Sequence, residues 1–139
     1  AFADFNARRG SAVGDQLIRE IAELLSAVIV SQVHDAFVAH LGEDRFLLTA
    51  RRGELEPRLA TLITAFDRQF AAEYGDDAPP TLRVLHLPGA FAVAKHPRDI
   101  FRLEQRLREQ ARSCEAEAGR QSSYVLRMDD PGPALRIAA

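Results

Sequence analysis

Apolar positions recur at helical spacing over residues 13–30, where valine, leucine and isoleucine return every three or four residues. This pattern predicts a long amphipathic helix. Two further segments show the same periodicity: residues 55–70, and a stretch that begins at Pro97 and ends before Gly119. Proline suits the first turn of a helix and glycine suits the residue after its end, so we expect the third helix to have these bounds.

Shorter apolar runs between the helices predict strands. Residues 36–41 and 46–50 flank an acidic link that contains a glycine, which predicts a β-hairpin. Residues 81–87 and 124–128 predict two further strands. The order is therefore helix, hairpin, helix, strand, helix, strand. It predicts an α+β sandwich whose helices pack on a mainly antiparallel central sheet.

The composition is that of a globular domain, with 47% hydrophobic residues, 27% charged residues and a formal net charge of −2. We expect one domain over residues 1–128 and a C-terminal tail or linker over residues 129–139, which begins with Asp, Pro and Gly. The charge gives no reason to expect nucleic-acid binding. A single cysteine and the lack of a bilayer-length apolar run predict a cytoplasmic domain without membrane contact.

Two local patterns resemble the GGDEF family of diguanylate cyclases. The first keeps the spacing of the family's F-K-x-x-N-D-x-x-G-H-x-x-G-D run, and its matching residues are Phe2, Asn6, Gly10, Gly14 and Asp15. The second lies on the hairpin, where Leu-Gly-Glu-Asp-Arg-Phe at residues 41–46 is similar to L-G-G-D-E-F. A weaker match at residues 118–120 resembles part of the family's A-K-x-x-G-R pattern.

The resemblance implies a nucleotidyl-cyclase palm-like sandwich in which two subunits each hold one GTP. Asn6 and Asp15 would bond the guanine edge, and the hairpin glycines would let the backbone approach the nucleotide. The acidic hairpin positions, with an Asp on the family's first strand, would hold magnesium. The candidate nucleotide-binding residues are therefore Asn6, Asp15, Gly42, Glu43, Asp44 and Arg45.

The sequence departs from the family at the positions that carry the chemistry. Glu43 replaces the second glycine, and Arg45, a permanent cation, replaces an acidic residue, so that only Asp44 keeps its acidic character. Ala3 and Ala116 replace lysines of the two flanking motifs. We expect that the first strand of the family's fold, which would precede the first predicted helix, is not part of the chain.

The family's feedback site is an R-x-x-D pattern just before the hairpin strand. No arginine occurs between Arg19 and Arg45, so Asp35 has no partner of that pattern. We therefore expect no product inhibition through that site.

These departures favour a non-catalytic regulatory module of bacterial cyclic di-GMP signalling. It would bind GTP weakly, dimerise, or position a neighbouring EAL or sensor domain. No catalytic residue, metal ligand or cofactor is predicted, and magnesium would enter with GTP only if the pocket survives. The alternatives are an active diguanylate cyclase and a protein-interaction scaffold that binds no nucleotide. In the simplest interpretation of the residues, Asn6 and Asp15 are helix-capping residues and residues 43–45 form a polar hairpin tip.

Overall fold

The computed structural model describes residues 2–51, 53–74, 79–86, 96–118 and 123–127. Their elements in chain order are α1 (Phe2–Arg9), α2 (Ser11–Leu25), a π-helical turn (Ser26–Val30), β1 (Phe37–Gly42), β2 (Arg45–Thr49), α3 (Glu56–Tyr74), β3 (Arg83–His86), α4 (Pro97–Ala118) and β4 (Tyr124–Arg127). The chain forms two compact units, Ala1–Leu82 and Arg83–Ala139.

Helix α1 was not predicted from the sequence, because only its two phenylalanines are large and apolar. It ends at Gly10, whose φ of +91° is a conformation that interrupts a right-handed helix and favours glycine. The Gly10 amide donates to the carbonyl of Asn6 at 2.8 Å, and the Gly10 carbonyl accepts from the Gly14 amide at 3.2 Å. Gly10 therefore closes one helix and opens the next.

The core of the first unit lies between α2 and α3. Leu17, Ile21 and Leu25 follow one another at four-residue spacing, and Ile29 continues this stripe through the π-helical turn. The turn is closed by the Ser31 amide, which donates to the Ser26 carbonyl at 2.9 Å over five residues. The facing residues of α3 are equally buried, and they are Leu59, Leu62, Phe66 and Phe70. Both predicted helices are confirmed, with small shifts in their bounds.

Two contacts to Tyr74 fix α1 against the last turn of α3. The ring of Phe5 meets the ring of Tyr74 edge to face, with centroids 5.3 Å apart. Arg9 donates from its guanidinium to the Tyr74 carbonyl at 2.7 Å. This bond satisfies one of the carbonyls that a helix end leaves without an intrahelical partner.

The predicted hairpin is confirmed. Strands β1 and β2 pair antiparallel from Phe37 opposite Thr49 to His40 opposite Phe46, with a register irregularity between His40 and Gly42. Within the described residues these two strands form a sheet of their own.

The second unit contains a parallel strand pair, which the sequence analysis did not predict. Arg83 of β3 lies opposite Tyr124 of β4, and the pairing runs in parallel to His86 opposite Arg127. Parallel neighbours need a crossover connection, and α4 lies between these strands in the chain. The antiparallel part of the predicted sheet is confirmed by the hairpin, and the parallel pair is an addition to it: of the two strand pairs described, one is antiparallel and one is parallel.

Helix α4 begins at the predicted proline. The Asp99 side chain is fully buried and accepts a hydrogen bond from the His96 amide at 2.9 Å, which caps the first turn. Leu103, Ala111 and Tyr124 are the other buried residues described in this unit. The mixed α+β content is confirmed, whereas the palm-like sandwich stays a prediction. Parts of several predicted features lie outside the described residues: the end of the strand at residue 87, residues 119–120 of the weak motif match, the end of the last strand at residue 128, and the tail at 129–139.

Candidate functional site

The hairpin tip has two consecutive residues in the left-handed region of backbone space. Gly42 has φ +99° and Glu43 has φ +52°. A Cβ atom on Gly42 would meet no atom within 4 Å, so backbone conformation rather than crowding is the reason for glycine there. The same region is unfavourable for Glu43, at a cost of about 1 kcal/mol or more. The chain therefore keeps a glycine-like backbone at a position where the side chain is glutamate.

His40 and Phe46 flank the tip on the two strands, where His40 contacts the tip and the two rings contact each other. The His40 ring bonds through Nε2 to the Glu43 carbonyl at 2.9 Å. It also stacks on the Phe46 ring, with centroids 4.9 Å apart. These two residues face each other across the strands, so the pairing of the hairpin explains their contact. No role was predicted for these two residues. Two aromatic rings that flank a short link could nevertheless have indicated a stacked pair across the hairpin.

The charges of the tip are exposed carboxylates beside an arginine. Glu43 and Asp44 are exposed, whereas Arg45, the first residue of β2, is half-buried. Within the described part of the chain, no three His, Cys, Asp or Glu side chains converge as metal ligands would. Two carboxylates next to a fixed cation are a poor donor set for magnesium, which requires several oxygen ligands in octahedral geometry.

The other two predicted nucleotide contacts, Asn6 and Asp15, lie on either side of the junction of α1 and α2. Asn6 lies in α1 against Gly14, so closely that a Cβ on Gly14 would be 1.8 Å from Asn6 Oδ1. That oxygen is buried and has no hydrogen-bond partner among the described residues. Asp15 follows in the first turns of α2 and is exposed. The predicted motif spacing thus corresponds to a real helix contact, with Gly14 as the residue that permits it.

An ion pair lies at the base of the hairpin, at the end opposite the tip. Arg51, which follows β2, forms an ion pair with Asp35, and His34 Nε2 lies 3.4 Å from the same carboxylate. Asp35 has φ +56°, another left-handed residue. The R-x-x-D pattern is absent as predicted from the sequence, but Asp35 still has an arginine partner, sixteen residues later in the chain. The sequence analysis did not anticipate this pairing.

Two pKa values are shifted where α2 meets α3. Burial raises the pKa of the Glu73 carboxyl, and repulsion from Glu20 raises it further. Burial also raises the pKa of the Tyr74 hydroxyl, again with repulsion from Glu20. Two shallow hollows of the surface, one lined by residues 30–36 and one by a face of α3, include none of the six predicted nucleotide contacts.

The first unit thus has Gly14 and Asp15 near the start of α2, followed by a hairpin with a Gly-Glu-Asp-Arg tip. The family model described as "Diguanylate cyclase, GGDEF domain" matches residues 1–81. This match covers more than half of the 139 residues, and the chain belongs to the GGDEF family. It includes both predicted motifs, all of the first unit except its last residue, Leu82, and all six candidate nucleotide contacts.

No curated protein and no solved structure matches the chain significantly. Among the residues that the structure describes, no helix is both long enough and apolar enough to span a membrane.

Proposed function

We propose that this GGDEF domain is a non-catalytic regulatory module of cyclic di-GMP signalling. The observation that carries the proposal is the hairpin tip. Glu43 occupies the position of the second family glycine in a left-handed conformation, and Arg45 occupies an acidic position. The backbone conformation at Glu43 is one that favours glycine, and this supports the proposal that a glutamate has replaced a glycine there.

Electrostatics oppose catalysis at such a tip. A carboxylate at Glu43 that faces a phosphate at ~4 Å repels it by about 1–4 kcal/mol, depending on the local dielectric. Arg45 is charged at every relevant pH and lowers the affinity of its surroundings for a divalent cation. Asp44 alone keeps the family's acidic character, and one carboxylate does not replace the missing ligands.

The second candidate function is a scaffold that binds no nucleotide, and the Asn6 contact favours it. A buried Oδ1 facing Gly14 must leave that contact before it can serve a guanine base. If the regulatory module retains a pocket, we therefore expect it to bind GTP weakly through Asn6 and Asp15, with magnesium entering only with GTP; the scaffold would bind neither. In this interpretation the six candidate residues are vestigial.

The proposed role in a larger protein is to dimerise or to position a neighbouring EAL or sensor domain. The residues 129–133, Asp-Asp-Pro-Gly-Pro, have the composition of a linker to such a neighbour. We propose a cytoplasmic location, with no contact to nucleic acid or membrane by this domain. The pI of about 6.1 supports the proposal that the domain does not bind nucleic acid, since such binding relies on an excess of positive charge.

A product assay tests the proposal. The purified chain is incubated with GTP and magnesium, and cyclic di-GMP is quantified by liquid chromatography. We expect no turnover from the natural chain. The matched control is the Asp44→Ala chain, which removes the one retained carboxylate. Steady product formation that disappears on Asp44→Ala would show an active cyclase instead.

A GTP titration separates the two non-catalytic candidates. If a repelled pocket survives, Glu43→Gly strengthens binding at low salt and Asp15→Ala then removes the gain. If neither change alters the calorimetric signal, the scaffold is the correct function.

A further inference from the structure

The contact of α2 with α3 brings two carboxyl groups together. Glu20 on α2 is half-buried, and Glu73 in the last turn of α3 is exposed. Burial, repulsion from Glu20 and a hydrogen bond with the Glu20 side chain together raise the pKa of the Glu73 carboxyl. A hydrogen bond between two carboxyl groups requires a proton on one of them, because an ionised carboxylate only accepts. We call Glu20 and Glu73 the carboxyl pair.

Hydrogen bonds along α2 hold the Glu20 carboxylate in one orientation. Arg19 donates from Nη2 to Gln16 Oε1 at 2.9 Å, and Gln16 donates from Nε2 to Glu20 Oε1 at 2.7 Å. Because a guanidinium can only donate, it determines which end of the Gln16 amide faces Glu20. One oxygen of Glu20 therefore has a donor from its own helix.

The other oxygen of Glu20 lacks a donor when both carboxyls are ionised. Glu20 Oε2 is buried, and it accepts no hydrogen bond from the described residues in that state. A buried acceptor without a donor is unfavourable, because it has lost its bonds to water. A neutral Glu73 carboxyl carries an O–H group, which is the kind of donor that this oxygen needs.

The nearest cation does not neutralise the carboxyl pair. Arg9 of α1 donates to the Tyr74 carbonyl at 2.7 Å, and its guanidinium lies 5.9 Å from the centroid of the Tyr74 ring. Within the described part of the chain, Arg9 forms no ion pair with Glu20 or Glu73. Burial and repulsion from both carboxylates raise the pKa of the Tyr74 hydroxyl, so this neighbour does not relieve the negative charge either.

We propose that the carboxyl pair is a pH-sensitive link between α2 and α3. In acid, the Glu73 O–H donates to Glu20 Oε2, and the link is closed. As pH rises, the proton passes to water, and two carboxylates that repel each other remain. The turn of α3 that carries Glu73 also carries Tyr74, on which α1 is held by Phe5 and Arg9. Opening the link therefore loosens the place where α1, α2 and α3 meet.

The inference does not depend on the proposed regulatory function, because no nucleotide takes part in it. A double-mutant cycle on the full chain tests it, with Glu20→Ala, Glu73→Ala and both changes together. Urea unfolding is measured at about pH 4 and at about pH 8, on either side of the titration of Glu73. In acid the pair should raise the unfolding equilibrium constant of neither single variant independently: its coupling should favour the folded state by about twofold. In base the coupling should disfavour the folded state by about twofold, since only repulsion remains.

A titration of the Glu73 carboxyl, followed by nuclear magnetic resonance of its side-chain carbon, gives a second and direct measurement. Glu20→Ala removes both the repulsion and the acceptor, so the midpoint of Glu73 should fall toward its ordinary value. Glu23→Ala is the matched control, because Glu23 is exposed on the same helix one turn later, and it should leave the midpoint unchanged.

Two results would overturn the proposal. One is a coupling between Glu20 and Glu73 that keeps the same sign at both pH values, since a fixed contact or simple repulsion would behave in this way. The other is a Glu73 midpoint that is the same in the natural chain and in Glu20→Ala. Glu23→Ala combined with Glu73→Ala should be additive at both pH values.

Discussion

The α2–α3 core and the hairpin tip belong to the same unit of the chain, yet different forces hold them. Phe66 and Phe70 are at most 1% exposed, and their rings lie 4.5 Å apart inside a layer of leucine and isoleucine. At the tip, His40 bonds to the Glu43 carbonyl and stacks on the Phe46 ring, and the Glu43 and Asp44 carboxylates are exposed. Burial makes the core costly to change, whereas exposure leaves the tip free to change its chemistry while the fold persists.

This difference explains how a chain can keep the family fold and change the family motif. The energy of the fold comes from apolar area removed from water, to which Glu43 and Arg45 contribute little. The catalytic chemistry of the family, by contrast, depends on a few exposed groups in the turn. Substitutions in the core and at the tip should therefore differ in their effect on stability.

The largest effect is expected in the core. Phe70→Ala leaves a cavity between α2 and α3 and should lower the free energy of unfolding by about 3–5 kcal/mol. Phe37→Ala is the matched control, because Phe37 is 58% exposed, and we expect less than about 1 kcal/mol there. Urea denaturation followed by circular dichroism measures both. Equal losses for the two variants would contradict the assignment of the core.

The next effect concerns the helix junction. Gly14→Ala would place a Cβ 1.8 Å from Asn6 Oδ1, so the Asn6 side chain must move. We expect a loss of about 1–3 kcal/mol in unfolding free energy. Asn6→Ala removes the obstacle, and the double variant should recover most of the loss in a double-mutant cycle. Strict additivity of the two changes would show that Asn6 and Gly14 do not touch.

A smaller effect of opposite sign is expected at the tip. Glu43→Gly removes the backbone strain of a side chain in the left-handed region. It should raise the free energy of unfolding by about 1 kcal/mol. Asp44→Gly is the control, because Asp44 does not have a positive φ and glycine there only adds freedom to the unfolded chain. Thermal melting distinguishes the two. A decrease in stability on Glu43→Gly would show that the turn conformation is wrong.

The smallest effect is a pH dependence at the α2–α3 contact. Because the pKa of Glu73 is raised in the folded protein, the folded state binds its proton more tightly than the unfolded state. Stability from this group is present below its ordinary pKa of 4.5 and is lost as pH rises through the raised value. Glu73 is largely exposed, so solvent screening reduces the contribution to well below about 1 kcal/mol. The urea midpoint of the natural chain should fall more steeply as pH rises through this range than the midpoint of Glu73→Gln, which lacks the titrating group.

Periodicity was sufficient to predict the helices and the hairpin, because a buried stripe such as Leu17, Ile21 and Leu25 is visible in the sequence. It missed α1, whose position depends on Phe5 and Arg9 meeting Tyr74, far away in the chain. It also missed the parallel pairing of β3 with β4, since strand direction depends on how a connection crosses over.

Of the candidate site, only the residues that belong to the two motifs could be predicted from the sequence. Motif spacing indicated Asn6, Gly14 and Gly42, and the structure gives the physical reasons for both glycines. The bond from His40 to the Glu43 carbonyl and the pair of Arg51 with Asp35 were not predictable, because both depend on the exact register and backbone of the hairpin.

The two strand pairs also differ in how far their partners lie apart along the chain. The two hairpin strands are joined by a two-residue link. Strand β3, by contrast, pairs with a strand that follows it in the chain only after α4. Local hairpins close within about 1–10 μs, and non-local pairings form more slowly because loop closure comes first. During synthesis the tip can therefore take its final shape while the second unit is still being made.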